Sequence, residues 1–259
     1  MIEVHNLTFG YSSTEDGQIL KGVDFAAKNG KLTALIGTNG AGKSTLLKTI
    51  MGILKGKGDI TINGKSVAEY STKDFSSTVS YLSQDNDCKV NLSVFEVVML
   101  GRMGSMTFRV SDEDIAATQE VLERLNLQRF ASRSIMELSG GQRQLVFMAQ
   151  ALVKEPKILI LDEPTSALDL HKQFDLLTLL KNLTQENDFT TLVTLHHLDL
   201  AAMFADEIIV LKEGRVYAQG APKDIFTEAM MEDVYRVKTK IYMDDNGLPH
   251  VIPLEAIIN

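Results

Sequence analysis

The stretch Gly37-Thr38-Asn39-Gly40-Ala41-Gly42-Lys43-Ser44 decides the fold predicted for this 259-residue sequence. It has the spacing G-x-x-x-x-G-K-S/T, which is typical of phosphate-binding loops. An apolar run over residues 32–36 precedes it, and a helical pattern over residues 44–51 follows it. This order predicts a strand, a loop whose backbone N–H groups surround phosphates, and a helix whose positive end faces them. A glycine-rich turn without a ligand is the alternative.

The composition excludes several classes of protein. Lys and Arg total 26 and Asp and Glu total 34, so the formal net charge is -8. We expect no binding to nucleic acid, because phosphate backbones require an excess of basic residues on at least one face. With 44% hydrophobic residues the chain can bury a core, which excludes intrinsic disorder. The single Cys88 excludes an intrachain disulfide and a cysteine zinc cage, and we expect a free thiol without a role.

No segment of the sequence is predicted to enter a membrane. The first five residues lack a basic stretch followed by an apolar run, so we expect no signal peptide. The other apolar runs are short and interrupted by charges, and none approaches the roughly 20 residues that span a bilayer. We therefore expect a soluble, cytoplasmic chain that reaches a membrane only through a partner.

Short apolar runs alternate with helical patterns, which predicts an α/β fold with helices on the faces of a sheet. Asn29-Gly30 predicts a hairpin between the second and third strands, Asn63-Gly64 a turn, and residues 240–253 a small β-meander around Asn246-Gly247. The predicted strands cover residues 2–11, 19–27, 32–36, 59–62, 79–83, 158–161, 191–195 and 207–212.

The region between residues 93 and 130 has a different pattern, without a convincing strand. Residues 94–100 are helical in pattern, and Ser111-Asp112-Glu113-Asp114 resembles a capping box at the start of a helix. The apolar stripe predicted for that helix consists of Ile115, Val121, Leu122 and Leu125. We therefore expect a helical insertion into the α/β domain.

Two acidic residues, Asp162 and Glu163, follow the apolar strand predicted at residues 158–161. The carboxyl end of a buried parallel strand borders the ligand crevice of an open α/β sheet. Asp162 could there hold the hydration shell of Mg²⁺, and Glu163 could orient and polarise an attacking water. The alternative is that the two acids only end a core strand before Pro164.

The stretch Leu138-Ser139-Gly140-Gly141-Gln142 opens the apolar helix predicted at residues 142–152. A serine hydroxyl and exposed N–H groups at the start of a helix form a second anion site that suits a γ-phosphate. Lys43 of the same chain already serves one nucleotide. We therefore predict that Ser139 binds the nucleotide of a second subunit.

These motifs together resemble the ATP-binding subunit of an ATP-binding cassette (ABC) transporter. The resemblance covers nearly the whole chain and follows the family's order: phosphate loop, Gln84, Leu-Ser-Gly-Gly-Gln, Asp162-Glu163, residues 166–169 and His196. It implies a P-loop NTPase with a mainly parallel core sheet, an N-terminal antiparallel β subdomain and a helical subdomain. It also implies one ABC ATPase domain over residues 1–259, with a core at 1–84 and 139–259, a helical subdomain at about 85–138 and a β extension at about 236–259.

The resemblance assigns further roles. Gln84 is similar to the glutamine that contacts Mg²⁺ and relays the nucleotide state, and His196 to the histidine that contacts the γ-phosphate. His197 stands where the family usually has an acid, so which imidazole acts is open. Asp169 is similar to a residue that crosses the dimer interface. Tyr11 lies where the family stacks an aromatic ring on adenine, and a tyrosine in the β core is the alternative.

The cofactors implied are ATP and Mg²⁺, and the residues that serve them fall into three groups. The nucleotide is expected to contact Tyr11, Gly37, Thr38, Asn39, Gly40, Ala41, Gly42, Lys43, Ser44, Thr45, Gln84, Ser139, Gly140, Gly141, Gln142 and Asp169. The metal is expected to contact Ser44, Gln84 and Asp162. Catalysis is assigned to Glu163 and His196.

The resemblance is strongest to ATPases of importers for iron–siderophore, haem or cobalamin complexes, with molybdate importers similar. Residues 91–102 and 240–253 carry it, whereas Gly104-Ser105, Leu145 and Gln150 depart from the subgroup's pattern. The implied partners are a second ATPase subunit, in a homodimer, integral-membrane permease subunits and, indirectly, a substrate-binding protein. The implied location is peripheral, on the cytoplasmic face of the membrane. A soluble non-transport ABC ATPase for cofactor assembly and an exporter ATPase are the alternatives.

Overall fold

The computed structural model describes residues 1–12, 17–84, 91–102 and 110–258. Cys88, Gly104 and Ser105, on which expectations from the sequence fell, lie outside the described residues. The chain forms two compact units: the first comprises Met1–Glu69 and Leu180–Asn259, and the second comprises Tyr70–Leu179. The subdomain boundaries predicted from the sequence, near residues 85 and 138, stay a prediction.

The elements alternate along the chain as expected for an α/β protein. The strands are β1 (Ile2–Gly10), β2 (Gln18–Ala27), β3 (Lys31–Ile36), β4 (Lys57–Ile62), β5 (Lys65–Ser66), β6 (Val79–Leu82), β7 (Ile158–Leu161), β8 (Thr190–Thr194), β9 (Glu207–Lys212), β10 (Arg215–Gly220), β11 (Val237–Met243) and β12 (Pro249–Ala256). The helices are α1 (Lys43–Ile50), α2 (Thr72–Thr78), α3 (Val94–Met99), α4 (Asp112–Arg124), α5 (Gly140–Leu152), α6 (Leu170–Glu186), α7 (Leu198–Phe204), α8 (Pro222–Ile225) and α9 (Glu228–Met230).

Strand β3 is the centre of the first unit. It pairs in parallel with β8 on one side and β9 on the other, and β10 adds to β9 in the antiparallel sense. Every residue of β3 after Lys31 is buried. A continuous apolar strand of this kind requires cover on both faces, which parallel sheets receive from helices. The predicted α/β fold with a parallel-rich core sheet is confirmed.

An antiparallel sheet in the order β2-β1-β4-β5 forms the rest of the N-terminal part, as predicted. The hairpin predicted at Asn29-Gly30 is wrong, because β2 belongs to this sheet and β3 to the parallel one. The two residues do turn the chain: Gly30 has a φ of 65°, and its N–H donates to the Phe189 carbonyl at 2.7 Å. Both edges of β3 pair in parallel, with β8 and β9, so no edge of this strand is available to β2.

The second unit combines the parallel strands β6 and β7 with helices, among which α3, α4 and α5 pack on one another. The apolar stripe predicted for α4 is wrong at Ile115, which is 37% exposed. The buried face of this helix instead carries Asp114, Thr118 and Leu122. Leu122 and Leu125 of the predicted stripe are buried as expected, whereas the buried residue of the first turn is the paired carboxylate of Asp114 rather than an apolar side chain.

That carboxylate, Asp114, links three segments of the helical region. Its Oδ1 accepts a hydrogen bond from Arg102 Nε at 2.6 Å, and its Oδ2 accepts from the Ser111 hydroxyl at 2.7 Å. Oδ2 also accepts from the Ser111 N–H at 3.0 Å while Ser111 Oγ accepts from the Asp114 N–H at 3.1 Å, and these two bonds form the predicted capping box. Arg102 Nη1 also donates to the Val153 carbonyl, at 3.0 Å, beyond the end of α5. These bonds, from Arg102 first and Ser111 second, lower the pKa of Asp114 to about 2.

Where the sequence predicted a small β-meander over residues 240–253, the C-terminal residues form a two-stranded hairpin of β11 and β12, and β11 begins at Val237. The turn is built on Asp244, whose Oδ1 accepts hydrogen bonds from the Asn246 and Leu248 N–H groups at 2.8 and 2.9 Å. The side chains that face outward include Tyr242, which is 58% exposed. Within the described ranges, no helix has the length and apolar character that crossing a bilayer requires.

The Asp114 network predicts a pH-dependent contribution to stability. The folded pKa lies below the ordinary value of a carboxyl group, so ionised Asp114 stabilises the fold above about pH 4 and this contribution is lost as the pH falls toward 2. Asp114→Asn is expected to lower the urea midpoint of unfolding at pH 7, and the gap to the wild type should narrow between about pH 4 and pH 2. Glu120→Gln, which removes only the exposed pair with Arg124, should change little at any pH. A deficit for Asp114→Asn that is the same at every pH would contradict the charged interaction.

Candidate functional site

The phosphate loop follows β3 directly and leads into α1. Gly37 has a φ of 149°, and a Cβ atom at this position would overlap the Leu211 carbonyl oxygen of β9. Only glycine therefore lets the loop pass this close to the neighbouring strand. Gly40 and Gly42 also have positive φ, of 80° and 103°, so the loop turns twice more before the helix begins.

Lys43 lies inside this loop and is only 7% exposed. Its Nζ donates to the carbonyl oxygens of Gly37 and Thr38, at 2.8 and 3.1 Å. The N-cap of α1 is Gly42, which has no side chain to cap the helix, and the first turn carries no acidic residue. Helix N–H groups without a side-chain cap and an ammonium held against the loop form a positively charged set of donors, which fits the phosphates of a nucleotide.

Two further predicted residues lie in the same unit. His196 follows β8, whose Thr194 pairs with Leu35 of β3, so His196 and the phosphate loop leave the sheet at the same edge. His197 occupies the N-cap position of α7, and its side chain makes no capping hydrogen bond. Both imidazoles are exposed. This arrangement favours His196 for a contact with a ligand at the loop, since it lies nearer the end of β8.

Tyr11 lies one residue beyond β1 and is 71% exposed, which excludes a tyrosine in the β core. Its ring meets the Phe9 ring edge-on, with 5.0 Å between the centroids and 87° between the planes. Phe9 therefore supports one part of the Tyr11 ring and leaves most of the side chain in contact with solvent. An exposed ring of this kind can stack on a base.

In the second unit, Gln84 and Glu163 are joined by a hydrogen bond. Each lies two residues beyond the end of a strand, and these strands, β6 and β7, are parallel neighbours with Leu82 opposite Leu161. Gln84 Nε2 donates to Glu163 Oε2 at 2.9 Å. The sequence predicted both residues but not this bond; their equal offset from adjacent parallel strands is the signal that could have revealed it.

Asp162 and Glu163 differ sharply in their surroundings. Asp162 is 1% exposed, and its N–H donates to the Leu82 carbonyl at 2.8 Å, which extends the pairing of the two strands by one residue. Glu163 is half-buried and has a φ of 52°, in the left-handed region that few non-glycine residues adopt. Such backbone strain concentrates at functional sites. The turn at Glu163 directs the chain away from the strand at the residue predicted to act on water.

The Leu138–Gln142 stretch forms the start of α5, as expected. Ser139 is the N-cap: its hydroxyl accepts from the Gln142 N–H at 3.4 Å, and Gln142 Oε1 accepts from the Ser139 N–H at 3.0 Å. This is a capping box, in which both side chains satisfy backbone donors. Ser139 and Gly140 remain exposed. A Cβ atom on Gly141 would lie 2.8 Å from the Ala167 carbonyl oxygen, so this glycine permits a close approach to the loop that ends at Asp169.

That loop runs from Glu163 to the start of α6. The Ser166 hydroxyl donates to the Glu163 carbonyl at 3.0 Å. At the other end, Asp169 accepts from the Lys172 N–H at 3.0 Å and forms an ion pair of 2.8 Å with Lys172 Nζ. These hydrogen bonds with Lys172 lower the pKa of Asp169, so its side chain is ionised at neutral pH. The loop therefore links the backbone of Glu163 to the start of α5 at Gly141 through contacts within one unit.

No group of three or more His, Cys, Asp or Glu side chains in the described part of the chain is arranged to hold a metal ion. Magnesium does not require such a group, because it commonly takes one or two protein ligands together with phosphate oxygens and waters. The Ser44 hydroxyl, beside Lys43 at the start of α1, and the Asp162 carboxylate have the oxygen donors that this metal prefers.

A comparison with protein-family models decides the family. Residues 20–166 match the model described as ABC transporter, which is more than half of the chain. The chain belongs to the ABC transporter family. The match includes the phosphate loop, the Ser139–Gln142 helix start and the Asp162-Glu163 pair.

Curated relatives of this ABC ATPase match it over nearly their whole length. An uncharacterised ABC transporter ATP-binding protein of Methanocaldococcus jannaschii is 38% identical over 98% of both chains. The iron(3+)-hydroxamate import ATP-binding protein FhuC of Bacillus subtilis is 36% identical over 94% of this chain and 90% of its own. The ferric enterobactin transport ATP-binding protein FepC of Escherichia coli is 35% identical over 96% and 92%.

Solved structures agree with this assignment. A chain described as part of a metal-chelate type ABC transporter in an inward-facing conformation has a TM-score of 0.82 and 28% identity, over 98% of this chain and 97% of its own. A dimeric ATP-binding cassette in a post-hydrolysis state with ADP and phosphate has a TM-score of 0.77 and 30% identity, over 85% and 98%. This chain is accordingly an ABC ATPase that binds ATP with Mg²⁺ and hydrolyses it.

The capping box of the ABC ATPase predicts that Ser139 contributes to stability apart from any ligand. Ser139→Ala removes the N-cap and is expected to lower the free energy of unfolding by about 1 kcal/mol in the absence of nucleotide. Ser139→Asp keeps an acceptor at the N-cap and should leave stability close to that of the wild type. Urea unfolding followed by circular dichroism measures both. An equal loss in the two variants would contradict the capping role.

Proposed function

We propose that this chain is the ATP-hydrolysing subunit of an importer for an iron–siderophore or a related metal chelate. The observation that carries the proposal is the set of relatives that match over most of their length. They include proteins for iron(3+)-hydroxamate, ferric enterobactin, achromobactin and petrobactin transport, at 30–36% identity over 94–97% of this chain. The metal-chelate type of the similar solved transporter supports the same substrate class.

We propose the following division of roles for ATP binding. Lys43 and the N–H groups of the phosphate loop and of the first turn of α1, including those of Ser44 and Thr45, bind the phosphates. Tyr11 stacks on adenine, supported from the side by Phe9. Ser44, Gln84 and Asp162 hold Mg²⁺, which neutralises charge on the phosphates when it is bound.

Glu163 is proposed to orient the attacking water and accept its proton. The water oxygen forms a bond to the γ-phosphorus, and the bond between that phosphorus and the bridging oxygen of ADP breaks, which gives ADP and phosphate. Gln84 holds one oxygen of the Glu163 carboxylate at 2.9 Å, so the carboxylate has a fixed orientation before water arrives. His196, at the same sheet edge as the phosphate loop, is proposed to contact the γ-phosphate.

Two copies of the chain are proposed to close around two ATP molecules. Each nucleotide would lie between Lys43 of one copy and Ser139 of the other. The exposed hydroxyl of Ser139, at a helix start with no acidic residue in its first turn, supports this role. The dimeric ATP-binding cassette among the similar structures supports the assembly. Asp169 is proposed to contact the second copy beside this site.

Glu163→Gln tests the catalytic role and the dimer together. The amide keeps the shape of the side chain but cannot accept the proton, so turnover should fall at least about 100-fold while ATP still binds. The variant should form an ATP-dependent dimer, measured by sedimentation velocity with ATP and Mg²⁺. Glu123→Gln, an exposed substitution on α4, serves as the matched control. An unchanged rate of hydrolysis in Glu163→Gln would reject the assignment.

Permease subunits are the proposed membrane partners, which would place the chain at the cytoplasmic face of the membrane. A surface cavity of about 370 Å³ in the second unit supports this docking; Leu100, Arg102, Phe147 and Lys154 are among its lining residues. It mixes apolar side chains with two basic ones, which suits an amphipathic helix of a partner. A substrate-binding protein would act on the chain only through the permease.

Uptake of iron tests the proposed cargo. Cells that lack this chain should lose accumulation of radioactive iron from ferric hydroxamate or ferric catecholate, and the wild-type chain but not Glu163→Gln should restore it. Loss of cobalamin, haem or molybdate uptake instead would reassign the substrate within the same transporter class. Normal uptake of all these solutes, together with failure to co-purify with any integral-membrane protein, would contradict an importer and favour a non-transport ABC ATPase.

A further inference from the structure

The side chain of Gln173 is a buried amide that binds the loop between Glu163 and Asp169. Gln173 lies in the first turn of α6 and is 7% exposed. Its Nε2 donates to the carbonyl oxygens of Thr165 and Leu168, both at 3.1 Å. A side-chain amide nitrogen carries two hydrogens, so each carbonyl can take one of them. Gln173 therefore joins two points of the loop that are three residues apart.

The two carbonyl groups belong to the ends of one tight turn. The Leu168 N–H donates to the Thr165 carbonyl at 3.1 Å, which closes the turn. Thr165 and Leu168 are 4% and 7% exposed, and both of their bonds with Gln173 are buried. Buried backbone groups need hydrogen-bond partners, and losing one is costly. Without the Gln173 amide, the turn is therefore expected to shift toward other partners.

A second turn links this one to Glu163. Ser166 lies within the first turn, and its N–H and hydroxyl donate to the Glu163 carbonyl at 3.3 and 3.0 Å. Glu163 has a φ of 52°, a left-handed conformation that persists only where the surroundings hold it. A turn fixed by Gln173 keeps Ser166 in place, and Ser166 holds the backbone from which the Glu163 carboxylate extends.

The helix that carries Gln173 gives the amide a firm support. The Gln173 N–H donates to the Asp169 carbonyl at 2.9 Å, within the first turn of α6. One turn further along, Leu176 and Leu177 are 1% and 0% exposed. Because this part of the helix is packed in the core, the amide stays at one place and the loop is held to it.

We propose that Gln173 is a positioning residue for ATP hydrolysis: it holds the turn from Thr165 to Leu168 and, through that turn, the strained backbone of Glu163. The proposal rests on the role proposed above for Glu163. Gln173 acts through the loop and makes no contact of its own with ATP or the attacking water. It belongs to none of the motifs found in the sequence, so the proposal adds a residue to the machinery of the reaction.

Gln173→Met tests the proposal, because methionine has a similar length but neither of the two donors. The kcat for ATP hydrolysis should fall about three- to tenfold, as expected when hydrogen bonds that orient Glu163 are lost. The Kd for ATP should stay close to the wild-type value, since Lys43 and its loop are unaltered. Phosphate release is measured below the temperature at which the variant begins to unfold. A lower urea midpoint with an unchanged kcat would mean a purely structural role and would overturn the proposal.

Gln144→Met is the matched control. Gln144, on α5, is also 7% exposed, and its Nε2 has no hydrogen-bond partner among the residues that the structure describes. The same substitution therefore alters a buried amide without releasing the loop, and kcat should stay near the wild-type value. An equal fall in kcat in the two variants would contradict a specific role for Gln173.

Two further measurements separate this proposal from the proposed function. If Glu163→Gln hydrolyses ATP at the wild-type rate, the role of Glu163 fails and the positioning proposal with it. If Glu163→Gln loses turnover and Gln173→Met does not, only the positioning proposal fails. Exchange of the Gln173 side-chain amide protons, followed by NMR in the wild-type chain, needs no variant that folds. Slow exchange is expected, and exchange as fast as that of an exposed glutamine would overturn the two bonds to the loop.

Discussion

The close approach of Gly37 to the Leu211 carbonyl is the constraint on which the nucleotide-binding half of this protein depends. Strand β3 is buried between β8 and β9, so the chain that leaves it must pass the backbone of β9 before it can turn. A side chain at position 37 would push the loop away from that strand. With glycine there, the loop curves back far enough for Lys43 to donate to the Gly37 and Thr38 carbonyls from inside the loop. The positive charge at the start of α1 is thus a consequence of backbone packing several residues earlier.

The parallel strands also place the other reactive groups, since each of these groups lies just beyond the carboxyl end of such a strand. In the first unit the loop follows β3, and His196 follows β8 by two residues; in the second unit Gln84 and Glu163 follow β6 and β7 by two residues each. Parallel pairing without a register shift brings residues at equal offsets together, as the 2.9 Å bond between Gln84 and Glu163 illustrates. The strands are buried and rigid, whereas the residues after them are free to take unusual backbone angles such as the φ of 52° at Glu163. Rigid strands followed by strained turns hold a reactive group in one orientation before its substrate arrives.

Sequence reasoning succeeded where the information was local. The loop glycines, the capping box at Ser111 and the strand before Asp162 are each specified by residues within one turn or one strand, and all three have the predicted structure. It failed at Asn29-Gly30, where the turn is real but the flanking strands join different sheets, because both edges of β3 pair with strands that are distant in the sequence, β8 and β9. It failed at Ile115 because the buried face of α4 begins with Asp114, whose burial is made favourable by Ser111 and by Arg102, which the fold brings close.

The start of α5 shows how one hydroxyl can serve both the fold and the reaction. In the capping box, Ser139 Oγ accepts a hydrogen bond from the Gln142 N–H, which uses a lone pair of the oxygen and leaves its hydrogen available. The γ-phosphate of ATP bound to a second copy would accept a hydrogen bond from this hydroxyl. The helix cap thus uses the oxygen as an acceptor, and the proposed phosphate contact uses the O–H as a donor. An aspartate could preserve the cap, but it would offer a negative charge and no hydrogen to the phosphate. Serine suits this position because it is small and neutral and its hydroxyl both donates and accepts hydrogen bonds. Capping the helix requires only the acceptor, and binding the phosphate requires only the donor.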